Sequence, residues 1–136
     1  MRVVLDTNVL VSGVLTTHGV CAQILDLLVD GLFEICVDHR VFDEYDTVLH
    51  RQELGFDSDD VEELMWLLRS IALPVAAVPL AVTLPDPADL PFLEVAEAAR
   101  AILVTGNTRH YPNDMCGGVR VLSPAEFLEL IRASSR

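Results

Sequence analysis

The sequence predicts an α/β domain with a central, mostly parallel sheet. Three observations carry this. Short apolar runs of strand length alternate with longer runs whose apolar residues recur at helical spacing. The first run, Arg2 to Leu5, is continuous and valine-rich, as in strands buried on both faces. Hydrophobic residues make up 51% of the chain but aromatics only 6%, so the core must be built from Leu, Val, Ile and Ala.

The elements follow in order. Arg2 to Leu5 ends in the polar cluster Asp6-Thr7-Asn8. Val20 to Val29 reads as a helix, with Ile24, Leu25, Leu27 and Leu28 on one broad face and Gly31 as its stop. Leu32 to Val37 is a second strand. Asp38 caps the next helix, which runs to about His50 with Val41, Phe42, Tyr45, Val48 and Leu49 at helical spacing. Ser58 opens another helix, with Leu64, Leu67, Leu68 and Ile71 as its stripe. Leu73 to Leu84 mixes proline with Val and Ala and predicts an extended connector with an edge-strand piece. Asp86 to Asp89 is a turn leading to a helix from about Leu90 to Ala99. Ala101 to Thr105 is a strand, Gly106-Asn107 a turn, and Val119 to Leu122 the last strand. Ser123-Pro124-Ala125-Glu126 supplies a cap, an N1 proline and a capping-box acid for the final helix.

At 136 residues the chain can bury a core without disulfides or a structural metal. Cys21, Cys36 and Cys116 share no metal-ligand spacing and are an odd number, which predicts small buried hydrophobes. No stretch approaches the roughly 20 apolar residues of a membrane helix. Asp6 interrupts the N-terminal apolar run before a signal-peptide core could form, so a cytoplasmic protein without membrane contact is expected. The net charge is −12, and all nine basic residues are arginine. Such a chain lacks the basic face of a plain nucleic-acid binder and must recruit cations, as metals or as a basic partner. It also lacks the lysine on which aspartate-phosphorylated receiver domains and haloacid-dehalogenase-type phosphatases rely. No P-loop or GxGxxG stretch points to nucleotide binding.

In open α/β sheets, functional groups gather beyond the carboxyl ends of the strands. Asp6 stands at one such end and Asn107 just past another. Glu44 lies about two turns into a helix that follows a strand, and Asp89 at a helix start. Together they predict one acidic cleft. Clustered carboxylates repel, and Mg²⁺ or Mn²⁺, which prefer oxygen ligands, relieve that repulsion. Such an ion activates water for in-line attack on a phosphodiester, which predicts hydrolysis without a covalent enzyme intermediate. Each residue also has a plain structural reading. Asp6 caps the helix that follows; Glu44 is a solvated helix acid between Asp43 and Asp46. Asp89 is an N-cap in competition with Asp86, and Asn107 a left-handed turn residue after Gly106.

These residues sit in four motifs that resemble those of PIN domains. Leu5-Asp6-Thr7-Asn8-Val9-Leu10 resembles the first, and Glu44-Tyr45 with Val48-Leu49 and Arg51 the second. The run from Asp86 to Ala96 resembles the third, and Leu103-Val104-Thr105-Gly106-Asn107 through Arg109-His110-Tyr111-Pro112 the fourth. Val121 to Leu128 also resembles the subset of PIN proteins that are toxins of toxin–antitoxin systems. The resemblance implies a single PIN-like domain over residues 1–136, folded as a three-layer α/β/α sandwich. It implies an endoribonuclease that cleaves single-stranded RNA with Mg²⁺ or Mn²⁺. For VapC-like members it implies a homodimer and a cognate antitoxin.

Carried over by position, Asp6, Glu44 and Asp89 are the catalytic and metal-binding acids, and Asn107 stands where many PIN nucleases have a fourth acid. An amide brings no charge, so one metal is expected rather than two, with Asp86 as a compensating acid. Thr7, Asn8 and Thr105 are supporting residues, and Arg109 and His110 the expected phosphate contacts, with Arg40 and Arg51 as similar cases. The apolar segment from Leu64 to Leu73, with Trp66, is a candidate dimer contact, with an ordinary core helix as its favoured structural reading. Asn107 and the acidity also motivate an alternative: a weak or inactive PIN-like domain that binds RNA or protein.

Overall fold

The computed structural model describes residues 1–134. Its centre is a five-stranded sheet in the order β3-β2-β1-β4-β5, with every pairing parallel. The strands are β1 (Arg2–Leu5), β2 (Glu34–Val37), β3 (Leu73–Pro74), β4 (Ile102–Val104) and β5 (Val121–Leu122). The helices are α1 (Thr7–Leu15), α2 (Val20–Val29), α3 (His39–Leu49), α4 (Ser58–Ile71), α5 (Leu90–Ala99) and α6 (Pro124–Ser134).

Val3, Val4 and Leu5 are consecutive and wholly buried, and so are Ile35 and Cys36 beside them. Successive strand residues face opposite sides, so both faces of the sheet are covered and the layers are α/β/α. α2 packs on both α1 and α6, while α5 lies across β1, β2 and β4. Phe33 and Phe127 meet edge-on, their ring centroids 5.2 Å apart, tying α6 to the entrance of β2.

Local signals fixed several boundaries. Gly31 (φ +80°) ends α2 with its N–H on the Leu28 carbonyl. Asp38 caps α3 by accepting from the Val41 N–H at 3.0 Å. At the start of α6, Glu126 accepts from the Ser123 N–H while the Ser123 hydroxyl accepts from the Glu126 N–H, the expected reciprocal box. At α4 the cap is Asp57, which accepts from the N–H groups of Asp59 and Asp60; Ser58 is the first helical residue. The charged Asp57 side chain is a stronger acceptor for these unpaired donors than the hydroxyl after it. α5 ends without glycine, on Arg100 in the left-handed region (φ +53°).

The connector after β3 is extended, as its prolines dictate, and one buried carboxylate holds it. Glu94 of α5 accepts from the Leu80 N–H at 2.7 Å and pairs with Arg40 at 2.7 Å. Arg40 also pairs with Asp38. Its guanidinium thus serves the packing of α3 on α5 and is committed to carboxylates rather than to phosphate. Cys36 and Cys116 are buried, Cys21 half-buried, and all three are free thiols. No single helix among the described residues is long and apolar enough to cross a membrane.

Candidate metal centre

The chain leaves β1 toward β2 on one side, and leaves β4 toward β5 on the other. The carboxyl ends of these adjacent strands therefore form the switch point at which an open α/β sheet has a crevice. Register brings Leu5 beside Val104, so Asp6 and Thr105, one residue further along each strand, face each other there.

Asp6 is 5% exposed. Its N–H continues the ladder to the Val104 carbonyl at 2.9 Å. It precedes α1, yet its carboxylate makes no capping bond. Instead Oδ2 accepts from the Thr105 hydroxyl at 2.9 Å and the Tyr111 hydroxyl at 3.1 Å. Burial pushes its pKa up, and these hydroxyl bonds offset part of that. Burial, reinforced by the Asp6 and Asp89 carboxylates, pushes the Tyr111 phenol far above its ordinary range, which keeps it a donor. Tyr111 belongs to the fourth motif, but nothing in the sequence pattern marks its hydroxyl as a support for Asp6.

Glu44 is half-buried on α3 and accepts a hydrogen bond from the hydroxyl of Thr7, the residue after Asp6. The next residue, Tyr45, is fully buried and donates its hydroxyl to the Leu5 carbonyl. That bond pins α3 to the end of β1 and sets where Glu44 stands. Flanking Asp43 and Asp46 are exposed, so Glu44 is distinguished from them by the helix face it occupies.

Asp89 closes a 3₁₀ turn, Pro87–Asp89, just before α5 and is 9% exposed. It makes no capping bond; that role falls to Asp86, which accepts from the Ala88 N–H at 3.0 Å. Burial first, then the Asp6 charge, raises the Asp89 pKa from 3.8 to about 6. His110 partly opposes this, with Nδ1 2.9 Å from Asp89 Oδ2.

Asn107 is not left-handed (φ −135°), which corrects the turn reading. Its N–H donates to the Thr105 hydroxyl at 3.0 Å, and its side-chain Nδ2 lies 2.9 Å from His110 Nε2. Asn8 is exposed and braces the same turn, its Oδ1 accepting from the Gly106 N–H at 2.9 Å. Beside this brace lies an open groove of about 810 Å³, lined by Asn8, Ser12, Cys21, Asn107, Arg109 and Ser123 among others. Arg109 is exposed there, as a phosphate contact requires; His110 faces Asp89 instead.

The donor chemistry fits a divalent cation. Asp6 and Asp89 are buried carboxylates, and the Asp6 charge adds to the cost of ionising Asp89, a cost that a hard cation relieves. Among the described residues, one trio of metal-ligating side chains has its ligand atoms within 4.8 Å of one another: Asp86, Asp89 and His110. Of the three predicted acids only Asp89 belongs to this trio; Asp6 and Glu44 do not come within that distance of it as a group.

A PIN-domain family profile matches residues 2–109 of this chain. A search of curated proteins returned no match. Among solved structures, the chain is similar to one in the crystal structure of VapBC2 from Rickettsia felis bound to a DNA fragment from their promoter. The two share 15% sequence identity at a TM-score of 0.58, over 90% of this chain and 98% of that one. At that identity the likeness shows a shared fold.

Proposed function

The chain belongs to the PIN-domain family, and on that premise we propose that it is an endoribonuclease that hydrolyses single-stranded RNA with Mg²⁺ or Mn²⁺. The observation that carries this is Asp6. A carboxylate at the switch point, nearly excluded from water, gripped by two hydroxyls and caps nothing, is poorly explained by stability. In this reading Asp6, Glu44 and Asp89 hold the cation, and Thr105, Tyr111 and Thr7 fix the carboxylates. The ion supplies water activation and charge neutralisation at the phosphate. Arg109 receives a neighbouring phosphate in the groove, and Asn8 and Asn107 shape its wall.

We further propose the place of this enzyme: the cytoplasmic, VapC-like toxin of a toxin–antitoxin pair. The closing motif Val121 to Leu128 and the fold shared with a VapBC2 structure support it. A net charge of −12 suits an antitoxin that presents basic residues to the cleft. A homodimer is part of this proposal. Trp66, 70% exposed on α4 where Met65 and Leu68 point into the core, offers it a contact.

A second reading is favoured by Asn107, which brings no charge and is engaged by His110: a PIN-like domain that binds RNA or protein with little or no cleavage. Cleavage of a panel of single-stranded RNAs with Mn²⁺ separates the two. Asp6→Asn, Glu44→Gln and Asp89→Asn are each expected to slow cleavage by at least about a hundredfold. Equal residual cleavage by wild type and Asp6→Asn would sink the nuclease. Co-purification with the product of the neighbouring reading frame tests the antitoxin, and light scattering after size exclusion tests the dimer.

A further inference from the structure

We infer that Asp86, Asp89 and His110 form a nitrogen-containing cation position, distinct from the Asp6–Glu44 side of the cleft and selective for Mn²⁺ over Mg²⁺. We infer also that Asn107 is the residue that positions His110 for it. This deepens the nuclease reading and rests on it for its functional meaning, although the binding itself does not depend on cleavage.

The geometry suits an ion. Two neighbouring ligands on an octahedral cation, each at about 2.1 Å, stand about 3 Å apart, and opposed ligands about 4.2 Å. His110 Nδ1 and Asp89 Oδ2 are already 2.9 Å apart, and the ligand atoms of all three residues lie within 4.8 Å. The trio therefore needs only a small contraction to close on a cation. Its members are held from outside. Asp86 is fixed by the Ala88 N–H on Oδ1, which leaves Oδ2 for a ligand. Asp89 is fixed by the turn into α5. His110 is fixed through its far nitrogen, Nε2, by the Asn107 side chain at 2.9 Å. A ligating imidazole carries its proton on the other nitrogen and gives it to a hydrogen-bond acceptor. Rotating the Asn107 amide by half a turn presents Oδ1 to Nε2–H and leaves Nδ1 for the ion. An aspartate at position 107 would make a bidentate or charged alternative ligand; the asparagine instead acts through the histidine. In this chain the imidazole takes over the role of a fourth acid.

The metal preference follows from the donors. Carboxylate oxygens suit Mg²⁺ and Mn²⁺ alike, but Mg²⁺ dehydrates reluctantly and keeps to oxygen and water, whereas Mn²⁺, although the weakest binder of the first-row transition series, takes an imidazole nitrogen more readily than Mg²⁺ does. An imidazole in the set therefore raises Mn²⁺ binding and leaves Mg²⁺ nearly unaffected.

The test uses the metal-free full chain titrated with Mn²⁺ or with Mg²⁺. Electron spin echo modulation of the Mn²⁺-loaded wild type is expected to show coupling to an imidazole nitrogen. His110→Gln should abolish that coupling and weaken Mn²⁺ binding about tenfold, with Mg²⁺ binding changed less than about twofold. Asn107→Ala should weaken Mn²⁺ binding with the nitrogen coupling reduced, and Asn107→Gln should restore part of it. Asp6→Asn should retain the nitrogen-coupled ion. Absence of nitrogen coupling in the wild type, or unchanged Mn²⁺ affinity in His110→Gln, overturns the position, and loss of the coupling in Asp6→Asn overturns its distinctness. Nitrogen coupling in a wild type that cleaves no RNA would overturn the nuclease and leave the cation position standing.

Discussion

Asp89 shows what burial does to a carboxylate suited to a cation. Its pKa of about 6 in the fold lies above its ordinary 3.8, because burial and Asp6 disfavour its charge. The native state therefore holds a proton that the unfolded chain has released, and stability falls as pH rises from about 4 to 6. Below that window there is no cost, and above it the full cost is present, on the order of 3 kcal/mol for a change from 3.8 to about 6. Asp6, raised by the same cause, adds to the fall. Asp89→Asn removes the charge and is expected to match wild type near pH 4 and to be more thermostable at pH 7, in melts recorded with EDTA. Saturating Mn²⁺ should raise the melting temperature of wild type at pH 7 and narrow that gap. The acids' positions were readable from sequence, because a strand end and a helix start are local features. Their partners were not. Tyr111 reaches Asp6 across 105 residues and His110 reaches Asp89 across 21, and no local pattern encodes such meetings.

At the scale of elements, the site depends on two close joints. The first is where α1 meets α2. A Cβ on Gly13 would stand 2.5 Å from Leu25 Cδ1 and 3.1 Å from the Cys21 carbonyl. Gly13→Ala must therefore turn the Leu25 side chain aside and ease the Cys21 carbonyl back, and a cost of about 1 kcal/mol is expected in urea unfolding despite the better helix propensity of alanine. Since α1 starts directly behind Asp6, RNA cleavage should fall as well. The second joint is the exit of α5, where Arg100 adopts the left-handed conformation that only glycine takes without cost. Arg100→Gly is expected to stabilise the protein by about 1 kcal/mol, and the same unfolding experiment checks it. Helix stripes, caps and the glycine stop of α2 were legible because each depends on neighbours three or four residues away. The end of α5 was placed correctly by its apolar pattern, yet its left-handed arginine could not be foreseen. α4 opens at Ser58 as expected, but its cap is Asp57, since Asp57 and Ser58 are both good caps and only geometry chooses between them.

For the whole molecule, the proposed RNA substrate raises the question of how a chain of net charge −12 would approach a polyanion. Arg40 is committed to Asp38 and Glu94, which leaves Arg109 as the basic residue lining the groove beside the acidic cleft. Few phosphates are then neutralised by side chains, and RNA binding should depend only weakly on monovalent salt. Each single-strand phosphate contact contributes about −0.7 to the slope of log Kobs against log salt. Arg109→Ala is expected to flatten that slope by about this amount, measured by fluorescence anisotropy in the Asp6→Asn background, in which cleavage is expected to be slow. An unchanged slope would remove Arg109 from the RNA path.

The sequence by itself determined the α/β class, the order of its elements apart from α1 (Thr7–Leu15), which only the structure revealed, and the places from which Asp6, Glu44, Asp89 and Asn107 project. Each of these follows from apolar period, turn chemistry or position relative to a strand end. Tertiary structure decided the rest. It made the sheet wholly parallel and put β1 beside β4, so that Asp6 meets Thr105. It gave the capping duty to Asp86 and the burial to Asp89. It turned Asn107 from a turn residue into a partner of His110. The physical reason is that backbone preferences act over a few residues, whereas hydrogen bonds and desolvation at a buried site depend on which distant segments packing brings within about 3 Å.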